Sequence, residues 1–333
     1  MQIVMHGTLN AEGPNALLKD IVDQVSGMLP DNYEVTHTDA VPGDPDQEKA
    51  FAEADVIVGF TLAEGWPAPA KLKLWQVPAA GSDRVGTASF PPGSVLCNCF
   101  GHEIPIAEYV MASVLYWQLP LVDAFNKMKN NEWYYFSPAT MAEQREVYGK
   151  TIGILGYGMV GKEVAKRAKA FGMEVLACNF TEVETGGAVD RYFPLEQVEK
   201  FASEVDFLSV SLALVDATKN IVNEKVIAGM KGDAVIINVG RAGLIHEEDL
   251  YNALKDNRIR GAVLDPQYNY PTADNPNASP TNLDFASLDN ARLTSHMSGA
   301  SDQLFARRAG YVAENIVRIG NGEEPLNIVW QAE

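Results

Sequence analysis

Residues 150–172 read KTIGILGYGMVGKEVAKRAKAFG. A short apolar run, Thr151 to Leu155, is followed at once by Gly156-Tyr157-Gly158-Met159-Val160-Gly161, then by a charged, periodic stretch ending at Gly172. The apolar run predicts a strand and the periodic stretch a helix. A G-x-G-x-x-G run carries little information by itself, but between a strand and a helix it has a mechanical meaning. The first glycine permits a tight turn, the second lets the backbone approach a pyrophosphate, and the third lets the helix pack closely on the strand. Phosphates then rest on the free N–H groups of a helix N-terminus, where the macrodipole favours anions. Gly156, Gly158, Met159, Val160 and Gly161 are therefore the candidate dinucleotide-binding residues.

The next strand, EVLACN, ends at Asn179, where a carboxylate commonly bonds the adenosine ribose. Asn179 can bond a ribose hydroxyl but does not repel a 2′-phosphate. The first arginine beyond it is Arg191, which favours NAD and leaves NADP possible. Further strands are expected at VDFLSVSL, AVIINVG, GAVLD and ARLTSH, with helices such as HEEDLYNALKDN between them. Upstream, MQIVMHG, YEVTHTD, ADVIVGF, KLWQVPAAG and GSVLCNCFG read as five strands, and NALLKDIVDQVSGML as an amphipathic helix. Alternating units of this kind predict an α/β chain with parallel sheets covered by helices. Residues 104–121 are apolar nearly all round and are expected to lie in a domain or subunit interface. The polar, aromatic stretch that follows shows no strand and should wrap the surface. SDQLFARRAGYVAENIVRIGNG is a long amphipathic helix and EEPLNIVWQ an extended tail.

Composition narrows the function. With 333 residues, two domains are expected, and 47% apolar with 21% charged residues is ordinary for a globular chain. No run approaches 18 apolar residues, so no transmembrane helix is expected. The N-terminus has no basic segment followed by an apolar one, so no secretory leader is expected. A net charge of −18, divided evenly between residues 1–103 and the rest, repels nucleic acid and anionic membrane surfaces. An anionic small molecule must instead be drawn in by a local cation. Cys97, Cys99 and Cys178 have no metal-type spacing, so no metal is expected, and their odd number fits a reducing cytoplasm.

Three segments follow strand ends of the second sheet, where open α/β sheets bind ligands. They are Asn238-Val239-Gly240-Arg241-Ala242-Gly243, Val263-Leu264-Asp265, and Leu293-Thr294-Ser295-His296-Met297-Ser298-Gly299. An arginine there can grip a carboxylate with two parallel hydrogen bonds. A histidine can move a proton on or off the neighbouring oxygen. Together with a hydride acceptor, these groups define chemistry on a 2-hydroxy acid.

In order and spacing, LKLWQVPAAGSD, NCFGHEIPIAEYV, the 148–175 segment, INVGRAGLIHEEDLYNAL, GAVLD and LTSHMSGAS make the chain resemble the D-isomer-specific 2-hydroxyacid dehydrogenases over nearly its whole length. The resemblance implies two Rossmann-like domains with parallel sheets, the cofactor domain being inserted into the substrate domain. Residues 1–103 plus 303–333 would form the substrate domain and 104–302 the dinucleotide domain. It further implies a homodimer, with the 104–121 helix as an interface element; Trp133, Tyr134 and Tyr135 read as an aromatic contact across such an interface rather than as a substrate box. Arg241 would hold a small anionic carboxylate substrate and His296 would be the acid/base. Val239, Gly240, Asp265 and Ser298 would join the cofactor site, Asp265 at the nicotinamide carboxamide. Ala80 and Gly81 would supply a second carboxylate grip, and Asn98 would face the substrate.

One position departs from the family. The usual catalytic Glu, five residues after the Asp and just before a Pro, is Tyr270 here. A phenol can bond an imidazole but is no anion at pH 7, so it cannot raise the His pKa as a carboxylate would. The partner of His296 could be Tyr270, Asp274 from the 271–290 loop, or neither. If an imidazolium is the acid, reduction should fade as pH rises past an ordinary His value of about 6.5. Three readings stand at this point: a 2-keto acid reductase, a dehydrogenase of a small anion such as formate or phosphite, and a non-catalytic NAD(H)-sensing protein.

Overall fold

The computed structural model describes residues 1–7, 16–82, 84–141, 143–272 and 275–333. The chain divides into two compact units, Met1–Gly101 with Ser301–Glu333, and His102–Ala300. The first contains β1 (Gln2–His6), α1 (Ala16–Ser26), β2 (Glu34–Thr38), α2 (Pro45–Ala52), β3 (Val56–Gly59), β4 (Leu74–Gln76) and β5 (Val95–Cys97). The second contains α3 (Glu103–Gln118), α4 (Leu121–Lys129), α5 (Pro138–Met141), β6 (Thr151–Leu155), α6 (Met159–Ala170), β7 (Glu174–Asn179) and β8 (Arg191–Pro194). It continues with α7 (Val198–Ser203), β9 (Phe207–Val210), α8 (Glu224–Gly229), β10 (Val235–Asn238), α9 (Glu247–Lys255), β11 (Gly261–Leu264) and β12 (Ala291–Leu293). The chain then returns to the first unit as α10 (Leu304–Asn321) and β13 (Ile328–Gln331).

In the first unit the sheet order is β13-β5-β4-β3-β1-β2. Its first five strands are parallel, and the extended tail adds β13 antiparallel to β5. The buried side of α10 carries Leu304, Ala309, Val312 and Ile316. Ala309, Val312 and Ile316 enter the same core as Ile21 and Val25 of α1. A buried amide fixes this return. Asn315 Nδ2 donates to Gln76 Oε1 at 2.7 Å and to the Leu326 carbonyl at 3.0 Å, while its Oδ1 accepts the Leu326 N–H at 2.7 Å.

The second unit has the order β12-β11-β10-β9-β6-β7-β8, all parallel. The order reverses beside β6, so the switch point falls at the glycine-rich turn. Strand β8, RYFP, was not anticipated, because half of it is polar and it lies at the sheet edge. Part of the apolar 104–121 stretch packs within its own unit. Ile106, Ala107, Val110, Met111 and Val114 of α3 are buried in this unit's own core with Val164, Ala165 and Ala168 of α6. Tyr116 on the helix is exposed, as are Leu121, Val122, Phe125, Trp133 and Phe136 beyond it.

His6 gives the first unit a pH sensitivity. It is 2% exposed among Phe51, Trp66 and Trp75, with Nδ1 2.9 Å from Thr38 Oγ1. Burial, aided by the charge of His37, lowers its pKa to about 4. Between pH 6.5 and 4 the unfolded chain therefore takes up a proton that the folded one refuses, so stability is intact above 6.5 and falls with pH. By linkage this removes about 2 kcal/mol between pH 7.5 and pH 5. Urea unfolding at the two pH values, with His6→Asn as the reference lacking this titration, should show that difference. Equal pH dependence in the two proteins would contradict it.

Candidate active site

The dinucleotide turn has the geometry its glycines demand. Gly156 has φ 105°, and a Cβ there would lie 2.5 Å from the Leu212 backbone nitrogen. A Cβ at Gly161 would strike the Gly156 carbonyl oxygen. Gly158 is the N-cap of α6, with no side chain capping the helix, and a Cβ there would meet nothing within 4 Å. An uncapped helix N-terminus facing open space is the feature a pyrophosphate requires, so Gly156, Gly158, Met159, Val160 and Gly161 fit the group. Ser211 Oγ braces the turn by donating to the Gly156 carbonyl at 2.9 Å.

At the end of β7, Asn179 accepts the Tyr157 N–H through Oδ1 at 3.2 Å and donates from Nδ2 to Thr181 Oγ1 at 2.9 Å. Both ends of the amide are thus engaged. A pocket of about 620 Å³ opens here, lined by Tyr157, Lys162, Asn179, Glu182 and Glu184 among others. Lys162, on the first turns of α6, was missed in the sequence reading, which looked for a cation only downstream of Asn179. Arg191 is engaged elsewhere: it begins β8 and pairs with Glu174 and Glu204.

The second cluster gathers at the ends of β10, β11 and β12. Asn238 closes β10 by accepting the Gly240 N–H at 3.1 Å and donating to the Arg241 carbonyl at 3.0 Å. This sets the turn that exposes Arg241, whose Nη1 donates to the Gly240 carbonyl at 3.0 Å. Val239 is largely buried. A Cβ at Gly240 would press on the Leu244 side chain, 2.8 Å away.

Asp265 follows β11 and is fully buried. Its Oδ1 accepts the Thr294 hydroxyl at 2.6 Å and the Met297 N–H at 2.8 Å, and its Oδ2 accepts the Ser298 N–H at 3.0 Å. The Asp265 carbonyl also accepts the His296 N–H at 3.0 Å. The Thr294 hydroxyl, having given its proton to the carboxylate, accepts from Tyr109 on α3 at 2.7 Å; burial raises the Tyr109 pKa and keeps it a donor. His296 has φ 59°, a left-handed conformation that non-glycine residues adopt at a cost of about 1–3 kcal/mol. The Asp265 bonds hold the turn in which that conformation persists.

The imidazole of His296 lies 2.8 Å, through Nδ1, from the Tyr270 hydroxyl. That hydroxyl also accepts the Gln267 N–H at 3.1 Å. The structure thus brings Tyr270, at the usual Glu position, onto the histidine; Asp274 lies outside the described residues. Loss of surrounding solvent lowers the His296 pKa below its ordinary value of 6.5, Arg241 lowers it further, and Asp265 opposes both. The ring is therefore neutral at a lower pH than the expected limb near 6.5.

Ala80 and Gly81 lie beyond β4, and Asn98 beyond β5, at the C-terminal edge of the first unit's sheet. Asn98 Nδ2 donates to the Ala80 carbonyl at 2.8 Å. These residues belong to a different unit from Arg241 and His296. Among the described residues no group of His, Cys, Asp and Glu side chains is arranged to hold a metal ion. No helix there is long and apolar enough to cross a membrane.

Residues 111–298 match the model of the family described as D-isomer specific 2-hydroxyacid dehydrogenase, NAD binding domain. The chain belongs to this family, and the second unit is its NAD-binding domain. Among its relatives, glycerate dehydrogenase of Methylorubrum extorquens is 30% identical over 267 residues, covering 78% of this chain and 79% of that protein. D-3-phosphoglycerate dehydrogenase of Methanocaldococcus jannaschii is 31% identical over 272 residues, 78% of this chain but only 48% of the longer relative. Glyoxylate reductase of Korarchaeum cryptofilum is 32% identical, over 68% of this chain and 65% of the relative. The fold also matches a D-isomer specific 2-hydroxyacid dehydrogenase family protein of Aeromonas salmonicida, with TM-score 0.75, 22% identity and 98% of each chain covered.

Asp265→Asn tests the turn. The amide can accept on one side only and turns a donor toward N–H groups already donating. The lost bonds should cost about 1–3 kcal/mol of stability. The His296 pKa should also fall further, because the opposing negative charge is gone. Thermal unfolding with NMR titration of His296 checks both, and an unchanged histidine titration would exclude the coupling.

Proposed function

We propose that the chain is an NAD(P)-dependent oxidoreductase acting on a small 2-keto acid and the corresponding D-2-hydroxy acid. One observation carries the reading. A guanidinium and an imidazole follow the ends of β10 and β12, two strands of the NAD-binding sheet that flank β11, the imidazole braced through Nδ1 so that Nε2 is left for substrate. When bound, the nicotinamide exchanges a hydride with the substrate carbon. Arg241 holds the carboxylate by its planar fork, which fixes the 2-position. His296 exchanges a proton with the 2-oxygen through Nε2, and Asp265 and Tyr270 fix the ring. Pre-set geometry of this kind lowers the entropic part of the barrier.

Family relatives named as glyoxylate reductase and hydroxypyruvate reductase support substrates of this size. The deciding experiment is a panel. NADH oxidation is followed with glyoxylate, hydroxypyruvate, pyruvate and phenylpyruvate, and NAD reduction with formate and phosphite. Turnover of one or more 2-keto acids is expected. Turnover of formate or phosphite alone, or cofactor binding with no turnover, would replace this reading by the corresponding alternative. We also assign the exposed Leu121, Val122, Phe125, Trp133 and Phe136 to contact with a second copy, since large apolar side chains left in water favour association when they cluster.

Two outcomes follow for variants. Arg241→Ala should lower kcat/KM by about 2–5 kcal/mol in transition-state binding, with Arg241→Lys recovering only part. Unchanged kcat/KM would remove the carboxylate role. For the cofactor, Glu182 and Glu184 beside Asn179 disfavour a 2′-phosphate and Lys162 favours one. NAD should bind at least as well as NADP, and Lys162→Ala should weaken NADP while sparing NAD. Dissociation constants for both cofactors in both proteins check this; tighter NADP binding by tenfold in the wild type would refute it.

A further inference from the structure

The two neighbours of the Tyr270 hydroxyl differ in what they can do. The Gln267 backbone N–H, 3.1 Å away, can only donate, whereas His296 Nδ1, 2.8 Å away, can donate or accept. A phenol has a single proton. With Gln267 donating to the oxygen, that proton is available for Nδ1, and in that arrangement the neutral ring carries its own proton on Nε2. The arrangement is held firmly. The Gln267 side chain donates to the carbonyls of Leu264, Asp265 and Thr294 at 2.9, 3.3 and 2.7 Å, tying its backbone to both strand ends of the site. A carboxylate at position 270 would impose the opposite pattern. It could only accept, so Nδ1 would carry the proton and the neutral ring would present a bare Nε2.

We propose that Tyr270 and His296 form a phenol–imidazole proton relay in which the neutral imidazole is the acid for carbonyl reduction. The proposal rests on the reading of His296 as the acid/base given above. As the substrate carbon receives the hydride, the Nε2–H bond breaks and its proton passes to the carbonyl oxygen. The Tyr270 O–H bond breaks in the same step and its proton passes to Nδ1. The imidazole ends neutral, its proton moved from one nitrogen to the other. The electron pair left on the Tyr270 oxygen is stabilised by the Gln267 N–H, and solvent returns the proton, Tyr270 being 47% exposed.

Proton transfer runs downhill in this direction. A phenol titrates at about 10, far below an aliphatic alcohol, so the developing alkoxide is much the stronger base. The charged groups facing the ring are Asp265 from the end of β11 and Arg241 from the end of β10, and the net displacement of the His296 pKa is downward. The imidazolium is therefore less populated than in a free histidine, which makes a neutral acid useful near pH 7. Without the phenol, a neutral imidazole that gave up its Nε2 proton would be left as an imidazolate, so only the imidazolium could serve.

The first readout needs no turnover. Long-range proton–nitrogen NMR of the histidine rings in the free protein at pH 8, with His296→Gln to assign the signals, should show His296 protonated on Nε2 and bare at Nδ1. A ring protonated on Nδ1 overturns the relay. The second readout is kcat/KM for 2-keto acid reduction from pH 6 to 9. The wild type should change less than about threefold, whereas Tyr270→Phe should lose about tenfold per pH unit above its histidine pKa. Coincident profiles overturn the relay while leaving His296 as the acid. Full reductive activity in His296→Gln removes the acid role itself, and the relay with it. Tyr270→Phe is checked by unchanged Tm and NAD affinity, so that a loss of fold is not read as a loss of the relay.

Discussion

The site depends on one buried carboxylate. Asp265 has no exposed surface, and it accepts three hydrogen bonds from the Thr294–Ser298 turn. A carboxylate in that position is tolerated only because its oxygens are well supplied with donors. In return it fixes the single turn in which His296 takes a left-handed backbone. Its reach extends to α3 through the Tyr109–Thr294 contact and to the imidazole by charge. Within the family site, Asp265 is then a positioning group as well as a candidate cofactor contact: it sets where the imidazole stands and how readily it is charged.

Electrostatics elsewhere follow the same local logic. A net charge of −18 makes the protein a poor host for anions at long range. Every proposed anion contact is accordingly short-ranged: the α6 N-terminus, Lys162 beside the adenosine end, and Arg241 at the end of β10. The same reasoning explains why the two acidic side chains near Asn179 matter, since a 2′-phosphate would have to be held against them.

Much of this was legible in the amino-acid order, for identifiable reasons. Strands such as Thr151–Leu155 and Val235–Asn238 are mostly apolar and buried throughout because both faces of a parallel sheet are covered. Gly156 and Gly161 were readable because no other residue fits those turns. What could not be read has equally definite causes. The edge strand Arg191–Pro194 is half polar and makes no apolar run. Helix α3 is apolar nearly all round, and periodicity could not say whether its burial lay within one unit or between copies; the structure packs Ile106, Ala107, Val110, Met111 and Val114 in its own unit's core. Lys162 was overlooked because a helix brings it back toward Asn179 across 17 positions of sequence. The partner of His296 stayed open between Tyr270 and others, because spacing along the chain does not say which side chain of the segment after Asp265 reaches the ring; the 2.8 Å contact to the Tyr270 hydroxyl does.

The central claim is that Arg241 and His296 act on one substrate, the first on its carboxylate and the second on its 2-oxygen. A crystal structure with NADH and oxamate, an unreactive 2-keto acid analogue, tests it most directly. The account predicts two hydrogen bonds from the Arg241 guanidinium to the oxamate carboxylate and His296 Nε2 within about 3 Å of the adjacent carbonyl oxygen. Oxamate bound without Arg241, or with Nε2 turned away from that oxygen, would contradict it.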